Sequence, residues 1–379
     1  MIEKNKIDEI LKEYDLENIS ISAIASHSAL DVFDGANEEN FKTIAVCQKG
    51  RDKTYSIYFK KRKIGNREIG FIDNIITLDK FSNIINDENQ KKLREENAIF
   101  IPNRAFTSYC KIDEIENNFF VPLFGSRKIL RTEEREEEKN YYWLLEKAGL
   151  PFPEKIEDAK NIDELCIVKL HHAVKKLERG FFTCSSYKEY IEKSENLIKQ
   201  GVIKREDLEK ARIERYVIGP VFNLNFFYSP LFGQIELLGI DWRFETSLDG
   251  HVRLPAEQQL SLPEKQRIPE YTVCGHNSAT LRESLLEKAF LLGEKFVEAC
   301  KKYYGGIIGP FCLQTCIDKD LNFYIYDVAP RIGGGTNIHM AVGHPYGNSL
   351  WRKNMSSGRR IALEIKMAIE NDKIEKIVT

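Results

Sequence analysis

Gln314 and Asp327 are the residues whose types and spacing first suggest chemistry. They lie in two apolar runs on either side of a polar turn at residues 318–322, a pattern typical of a β-hairpin. If the turn centres between Asp320 and Leu321, the two side chains are directly opposite, with Cβ atoms about 5 Å apart. An amide oxygen and a carboxylate at that spacing could bind a hard cation such as magnesium together with nucleotide phosphates. The alternative is a buried polar pair that stabilises an ordinary hairpin.

Lys169 and Glu214 are candidates to bind a nucleotide beside that hairpin. Lys169 comes near the end of an apolar strand just before a polar loop, where its ammonium group could reach phosphate oxygens, although a lysine there is commonly only solvated. Glu214 lies in a strand-like run that leads into Gly219 and Pro220, where backbone groups could contact an adenine edge. Each signal is weak alone, so the order of the surrounding elements carries weight.

The first 125 residues alternate strand-like and helical patterns. Strand-like runs at 19–25, 43–46 and 98–102 are interleaved with helices, which favours a parallel sheet with ligands at the carboxyl ends of its strands. His27 follows the first run between two serines and is a candidate to face a ligand crevice, although a lone histidine there is more often structural. The segment 103–108 follows the third run and is expected at the equivalent position.

The rest of the chain predicts two further parts. The acidic run 133–139 predicts the start of a helix that continues through Leu145, with its charges on a solvated face. Pro151 and Pro153 mark a boundary. Beyond it we predict strands at 166–170, 180–183, 213–218, 222–228 and 234–240, helices at 187–199, 205–210, 281–303 and 359–370, and the hairpin. The predicted domains are 1–125, 126–218 and 219–379.

Composition limits the class of protein. The 379 residues are 42% hydrophobic and 30% charged, which is enough to bury sizeable cores. A net charge of −2 gives no general attraction for nucleic acid or anionic membrane, and no apolar run approaches the roughly 18 residues of a transmembrane helix. Eight cysteines are scattered without a CxxC pair, as expected of reduced thiols in a cytoplasmic enzyme.

The order lysine, loop, glutamate, long antiparallel strands and paired metal ligands is that of the ATP-grasp fold. The chain further resembles the archaeal formate-dependent FAICAR synthetase (5-formaminoimidazole-4-carboxamide ribonucleotide synthetase) family of that superfamily. The resemblance runs nearly end to end and rests on residues 25–28, 124–131, 226–231, 236–241, 249–256, 309–314 and 334–337. It implies an α/β and α+β protein: an ATP-grasp fold with an N-terminal parallel-sheet domain.

The resemblance also implies an activity and a set of site residues. The family joins formate to the amino group of AICAR (the aminoimidazole carboxamide ribonucleotide) and consumes ATP, with formyl phosphate as the expected intermediate. Gln314 and Asp327 match its metal positions for Mg²⁺ or Mn²⁺. Its ATP segment includes Lys169, Arg179, Gly180 and Glu214, and its substrate-binding positions include His27 and Ser247. We add Arg331 as a catalytic candidate and Thr336 and Asn337 as phosphate or ribose contacts.

The chain departs from the family pattern at four places. The glycine-rich phosphate loop is replaced by residues 171–180, in which only the final Arg-Gly survives. Asp327 stands where a glutamate is usual, Ser247 where asparagine is common, and Ala105 where a hydroxyl is expected. Two alternatives therefore stay open beside the ligase: a non-catalytic nucleotide-binding paralogue, and an ATP-grasp ligase for another carboxylate. Expected partners are small molecules and, by resemblance, copies of the chain in a trimer or hexamer.

Overall fold

A parallel four-stranded sheet forms the N-terminal part of the protein. The computed structural model describes residues 1–170, 181–267 and 271–379. The first elements are α1 (Lys4–Lys12), β1 (Ser20–Ile24), α2 (Ala29–Glu38), β2 (Lys42–Gln48), β3 (Arg62–Ile64), β4 (Arg67–Ile69), β5 (Asn74–Leu78), α3 (Asp87–Glu95), β6 (Ala98–Phe100), α4 (Arg104–Tyr109) and α5 (Ile112–Asn118). The sheet order is β5-β2-β1-β6, all parallel. This confirms the predicted parallel sheet.

The loops after β1 and β6 meet at one edge of this sheet, as predicted. Asn103 donates hydrogen bonds from Nδ2 to the carbonyl oxygens of Ile24 at 2.8 Å and Ser26 at 3.1 Å. Its Oδ1 atom accepts from the backbone N–H of Phe106 and so caps α4. Asn103 thereby fixes the loop that carries His27.

A small antiparallel sheet follows. Its elements are α6 (Tyr141–Lys147), β7 (Lys155–Ile156), β8 (Cys166–Lys169), β9 (Phe181–Cys184), α7 (Tyr187–Lys199), α8 (Arg205–Glu209) and β10 (Arg212–Arg215). The strand order is β7-β10-β8-β9. α7 has the predicted bounds because Ser186 caps it, its Oγ accepting from the backbone N–H of Glu189 at 3.2 Å.

A larger antiparallel sheet completes the fold. Its elements are β11 (Val221–Ser229), β12 (Gln234–Glu245), α9 (Leu248–His251), α10 (Ala256–Ser261), α11 (Glu264–Arg267), β13 (Val273–Ser278), α12 (Leu286–Tyr304), β14 (Gly309–Ile317), β15 (Phe323–Ala329), α13 (Pro345–Trp351) and α14 (Ser357–Glu370). The order is β13-β12-β11-β14-β15. One face packs against α12 through Phe226, Phe296 and Phe311. None of the helices in the described ranges is long and apolar enough to cross a bilayer.

The C-terminal helix joins the large sheet to the N-terminal sheet. α14 crosses α2 so closely that a Cβ atom on Gly35 or Gly358 would overlap the backbone of the other helix. On its other side, the fully buried Arg360 forms ion pairs with Glu236 at 2.9 Å and Glu364 at 2.8 Å. These contacts fix the large sheet against the N-terminal domain. The predicted domain boundaries stay predictions.

The prediction of a helix from residue 133 onward was wrong. A 3-10 helix, Arg127–Glu133, ends where the α-helix was expected to begin, and α6 starts only at Tyr141. Asn140 caps α6 by accepting hydrogen bonds from the backbone N–H groups of Tyr142 and Trp143. Glu133 forms a tertiary ion pair with Arg331, and Glu137 pairs with Arg131 at the end of the 3-10 helix. Such contacts override the local helical tendency of an acidic run.

Candidate active site

Lys169 and Glu214 form a buried ion pair between adjacent strands of the small sheet. β8 and β10 pair with Lys169 opposite Arg212, so Glu214 lies two residues further along on the same face. The Lys169 Nζ atom is 2.6 Å from Glu214 Oε2 and also donates to the Tyr142 hydroxyl at 2.6 Å. Burial lowers the pKa of Lys169, and Glu214 counteracts that effect. The two residues predicted to bind nucleotide are therefore in direct contact.

A cleft of about 550 Å³ separates the small sheet from the large one. Lys169 and Glu214 line one wall, and Arg243 and Asp327 line the other. Its apolar lining includes Pro153, Ile167, Val217, Pro220, Phe222 and Trp242. Apolar surface beside a few convergent charged groups suits a ligand that carries both a flat ring and charged groups.

Gln314 and Asp327 lie opposite each other on β14 and β15, as predicted. The reason differs from the expected one. The strands pair Thr315 with Ile325, and a shift of register between Thr315 and Gln314 then brings Gln314 opposite Asp327. Without this bulge, Gln314 would face Tyr326.

The Gln314–Asp327 pair fits a divalent cation that also binds phosphate. Gln314 Oε1 accepts a hydrogen bond from Arg243 Nη2 at 2.5 Å, and an amide oxygen keeps a second lone pair. Burial would raise the pKa of Asp327, but Arg135, Arg243 and Lys169 lower it, so the carboxylate is charged. Within the described residues, no cluster of three His, Cys, Asp or Glu side chains could hold a metal. A cation here would take its remaining ligands from phosphate and water.

A second group of charged residues surrounds His27 beyond the hairpin. Glu133 Oε1 is 2.5 Å from Arg331 Nη2 and 3.2 Å from Arg104 Nη1. The pKa of His27 is lowered to about 4, by desolvation first and then by Arg331 and Arg104, so the imidazole is neutral at pH 7. Arg331 is 6% exposed, and its Nε atom has no hydrogen-bond partner in the described part of the chain. A buried donor of this kind suits a polar ligand.

Thr336 and Asn337 connect the large sheet to the His27 loop. Asn337 Nδ2 donates to the His27 carbonyl at 2.9 Å, and its Oδ1 accepts from the backbone N–H of Asp31 at 3.1 Å. Burial raises the pKa of Asp31 to about 7, while the hydroxyls of Ser356 and Thr336 oppose that shift. Asn337 thus engages the N-terminal domain by two hydrogen bonds, whereas the buried Thr336 hydroxyl lies near Asp31 with no hydrogen-bond partner in the described part of the chain. The contacts of both side chains with a ligand remain predictions.

Comparisons with known proteins show the family of this chain. Two family models match, described as "Protein of unknown function (DUF1246)" over residues 21–156 and "Domain of unknown function (DUF1297)" over residues 189–379. A protein from Methanocaldococcus jannaschii, named 5-formaminoimidazole-4-carboxamide-1-(beta)-D-ribofuranosyl 5′-monophosphate synthetase, is 42% identical over 381 residues, covering 100% of both chains. The chain belongs to this FAICAR synthetase family.

Solved structures confirm the ATP-grasp fold for this FAICAR synthetase family member. The IMP biosynthesis protein PurP from Thermococcus kodakaraensis is 30% identical and has a TM-score of 0.70, with 95% of this chain and 100% of that chain covered. A biotin carboxylase from Campylobacter jejuni, solved as a β,γ-ATP complex, is 14% identical with a TM-score of 0.57, covering 92% of this chain and 70% of that one. The second likeness concerns the fold alone.

The structure places Ser247 apart from the other predicted substrate residues. It precedes α9 with a φ of 54°, next to Leu248 and Asp249 in the cleft lining, and its carbonyl oxygen accepts a hydrogen bond from His251 Nδ1 at 2.5 Å. Its substrate role in this FAICAR synthetase family member stays a prediction. Arg179 and Gly180, with the altered phosphate loop, lie outside the described residues.

Two cleft arginines were not predicted. Arg135 comes from the acidic run interpreted as a solvated face, yet it lines the cleft and lowers the pKa of Asp327. Arg243 lies at an inward-facing position of β12 and reaches Gln314 across β11. Asp241, Arg243 and Glu245 are polar at every second position of this strand, and that alternation could have placed Arg243 on a polar face.

A row of polar side chains across the large sheet was also missed. Asp327, Gln314, Asn223, Asp241 and Ser278 are paired in register from β15 to β13. Residues paired in this way project from the same face, so the row lies on the side of the sheet opposite α12. In β11, Asn223 and Asn225 alternate with apolar residues, which was the signal for this polar face.

Proposed function

We propose that the protein is an ATP-dependent ligase that formylates AICAR with formate to give FAICAR, ADP and phosphate. The observation that carries this proposal is membership of the FAICAR synthetase family over the full chain, at 42% identity to one synthetase. The cleft lined by Lys169, Glu214 and Asp327 supports the proposal, because it is large enough to receive a nucleotide beside these residues. IMP biosynthesis, named for the related PurP structure, is the proposed pathway.

The chemistry requires ATP because formate is a poor acyl donor. Direct attack of an amine on formate would have to expel oxide. Transfer of the γ-phosphoryl group to a formate oxygen releases ADP and gives formyl phosphate. The AICAR amine then attacks the formyl carbon, the carbon–oxygen bond to phosphate breaks, and phosphate leaves. Most of the catalytic effect in the first step comes from position and charge neutralisation.

The residues of the cleft match the needs of the first step. Lys169, Arg135 and Arg243 bring three positive charges to one cleft and would neutralise the triphosphate. Glu214 is fully buried and holds Lys169 in place at 2.6 Å. Gln314 and Asp327 would hold Mg²⁺ or Mn²⁺, which would supply Lewis-acid chemistry and neutralise phosphate charge.

The residues around His27 suit the second substrate. Arg331 and Arg104 supply positive charge beside a neutral His27, and the glycine segment after Arg331 lies against the His27 loop through a hydrogen bond from Ser28 Oγ to the Gly333 carbonyl. A ribonucleotide offers a phosphate for the arginines and ribose hydroxyls for backbone groups. We therefore propose that AICAR binds between the N-terminal domain and the large sheet.

An assay of the purified protein tests the proposal. Incubation with ATP, magnesium, formate and AICAR should give ADP and FAICAR in equal amounts, resolved by chromatography. Omission of formate and replacement of formate by acetate are the controls, and acetate addresses the alternative of another carboxylate. Absence of both ADP and formylated product would refute the proposal. Calorimetry with AICAR then identifies a binding protein that lacks turnover.

We also propose a homo-oligomer, a trimer or a hexamer, on the family resemblance. Light scattering coupled to size-exclusion chromatography measures this directly, since each chain has a mass of 43.9 kDa. A trimer would give about three times and a hexamer about six times that mass. A mass equal to one chain at assay concentration would contradict the proposal.

A further inference from the structure

Asp241 and His276 form a carboxylate–imidazole pair on the cleft face of the large sheet. Asp241 is fully buried on β12 and accepts a hydrogen bond from His276 Nδ1 at 2.8 Å. Its carboxylate also accepts from Asn223 Nδ2 and Asn225 Nδ2, each at 2.7 Å. Because the three donors stabilise the charged form, the pKa of Asp241 is lowered despite its burial.

This pair fixes the proton on one nitrogen of the imidazole. With Nδ1 donating to Asp241, the neutral ring presents Nε2 as an acceptor. His276 Nε2 has no hydrogen-bond partner in the described part of the chain, and the side chain is 20% exposed. An oriented imidazole with a free acceptor and a buried carboxylate behind it is the arrangement of a general base.

His276 lies between the two halves of the candidate site. It is paired in register with Arg243, whose guanidinium group reaches Gln314, so both side chains are on the cleft face. On its other side is Gly335, where a Cβ atom would be 2.5 Å from His276 Nδ1. The same glycine segment contacts the His27 loop through Ser28 and Gly333. The imidazole is thus close both to the phosphate-side residues and to the segment proposed to bind AICAR.

We propose that His276 is the general base that accepts a proton from the AICAR amine as it attacks formyl phosphate. The inference rests on the proposed function and deepens it. The new bond joins the amine nitrogen to the formyl carbon, the bond from that carbon to the phosphate oxygen breaks, and the electron pair leaves with phosphate. The amine proton moves to His276 Nε2. Asp241 acts as a positioning residue that holds the tautomer and stabilises the imidazolium.

The amine needs such a base because its lone pair is delocalised into the imidazole ring and the carboxamide. It becomes strongly acidic only once the new bond forms, so a nearby acceptor lowers the barrier. Other titratable or charged groups near the pair are Arg243 on β12 and His339, whose pKa is lowered to about 4 by burial first and then by His344. His339 Nε2 is already hydrogen-bonded to Ser278 Oγ at 3.2 Å, which leaves His276 as the available base.

The test compares H276Q with N277S in the full-length protein. Asn277 is the next residue on β13, is exposed, and projects from the opposite face, so N277S is a matched control. Three quantities are measured for each protein: FAICAR formation, formate-dependent ADP release without AICAR, and calorimetric affinity for AICAR. Hydroxylamine traps formyl phosphate as formohydroxamate and reports the first step alone.

We expect H276Q to lose about 100-fold in FAICAR formation while ADP release, hydroxamate yield and AICAR affinity stay within about threefold of wild type. An equal fall in all measured steps would mean a structural role and would overturn the assignment, as would unchanged transfer. Inactive wild-type protein in the same series would instead refute the proposed function, on which the assignment depends.

Discussion

The nucleotide side and the substrate side of the candidate site stabilise charge in different ways. On the nucleotide side, permanent charges face each other: Lys169 contacts Glu214, and Arg135 and Arg243 surround Asp327. On the substrate side, the ionisable groups are neutral or fixed within hydrogen-bond networks. His27 has a pKa lowered to about 4, and the Asp241 carboxylate lies beneath three N–H donors. The first arrangement suits binding and transfer of phosphoryl groups, whereas the second suits controlled movement of a proton.

The largest effect should come from removing a permanent charge on the nucleotide side. K169M should lower turnover by about 1,000-fold, since the transferred phosphoryl group loses a cation in a desolvated cleft. Glu214 keeps a partner in this variant, because Arg212 Nε is 2.5 Å from its Oε1. Steady-state ADP release measures the effect. K188M on α7, where the lysine forms an exposed pair with Glu192, is the control. A loss below tenfold would contradict a phosphate role for Lys169.

A somewhat smaller effect should follow from changing the predicted metal ligand. D327N should lower turnover about 100-fold and raise the magnesium concentration for half-maximal activity about tenfold, because an amide is a weaker ligand than a carboxylate. Magnesium titration at saturating ATP measures both. D320N, in the exposed turn of the same hairpin, is the control. If the magnesium requirement of D327N equals that of wild type, the pair is structural, as the alternative interpretation of the hairpin holds.

Much of the fold was predictable because its elements are locally encoded. Three strands of the N-terminal sheet, β1, β2 and β6, and the helix α7 follow apolar periodicity and capping, and they appear with bounds close to those expected, whereas β5 was not predicted. β13 was not predicted, since its sequence Val-Cys-Gly-His-Asn-Ser has no apolar alternation and its pairing with β12 is tertiary. The helix predicted for the acidic run did not form for a related reason, because Glu133 is paired with the distant Arg331 and Glu137 with the nearby Arg131.

The candidate site was predictable where strand pairing fixes the positions of the side chains. Lys169 and Glu214 come together through the pairing of β8 with β10, and Gln314 and Asp327 through the pairing of β14 with β15. The roles of Arg135 and Arg243 were not predictable in this way, because their long side chains reach groups on other elements and sequence spacing does not show where such side chains end. The opposition of Gln314 and Asp327 was predicted correctly, but it requires a β-bulge whose position the turn sequence does not specify.

Two adjacent glycines on the substrate side, Gly334 and Gly335, test how tightly the chain packs against the Asp241–His276 pair. In G335A the new methyl group would overlap Asp241 Oδ2 and lie 2.5 Å from His276 Nδ1, whereas in G334A it would meet nothing within 4 Å. We expect G335A to lose about tenfold in FAICAR formation, with an overpacking cost of about 1–3 kcal/mol in stability. G334A should match wild type in both. Product assays and thermal melting distinguish the two variants, and equal behaviour would refute a packed contact at Gly335.

The smallest effect concerns the pH dependence of stability on the substrate side. Burial raises the pKa of Asp31 to about 7 from an ordinary value of 3.8, so the folded protein binds a proton that the unfolded chain has lost between these two values. The stability associated with this group is therefore present below about pH 4 and is lost as the pH rises to 7. D31N cannot titrate, and its stability relative to wild type should increase by roughly 1–4 kcal/mol between pH 4 and 7, then stay constant. Chemical denaturation at several pH values measures this difference, with D8N, in an exposed pair with Lys4, as the control. Parallel curves for D31N and wild type would show that folding does not raise the pKa of Asp31, and the contrast between the two sides would then not extend to this carboxyl group.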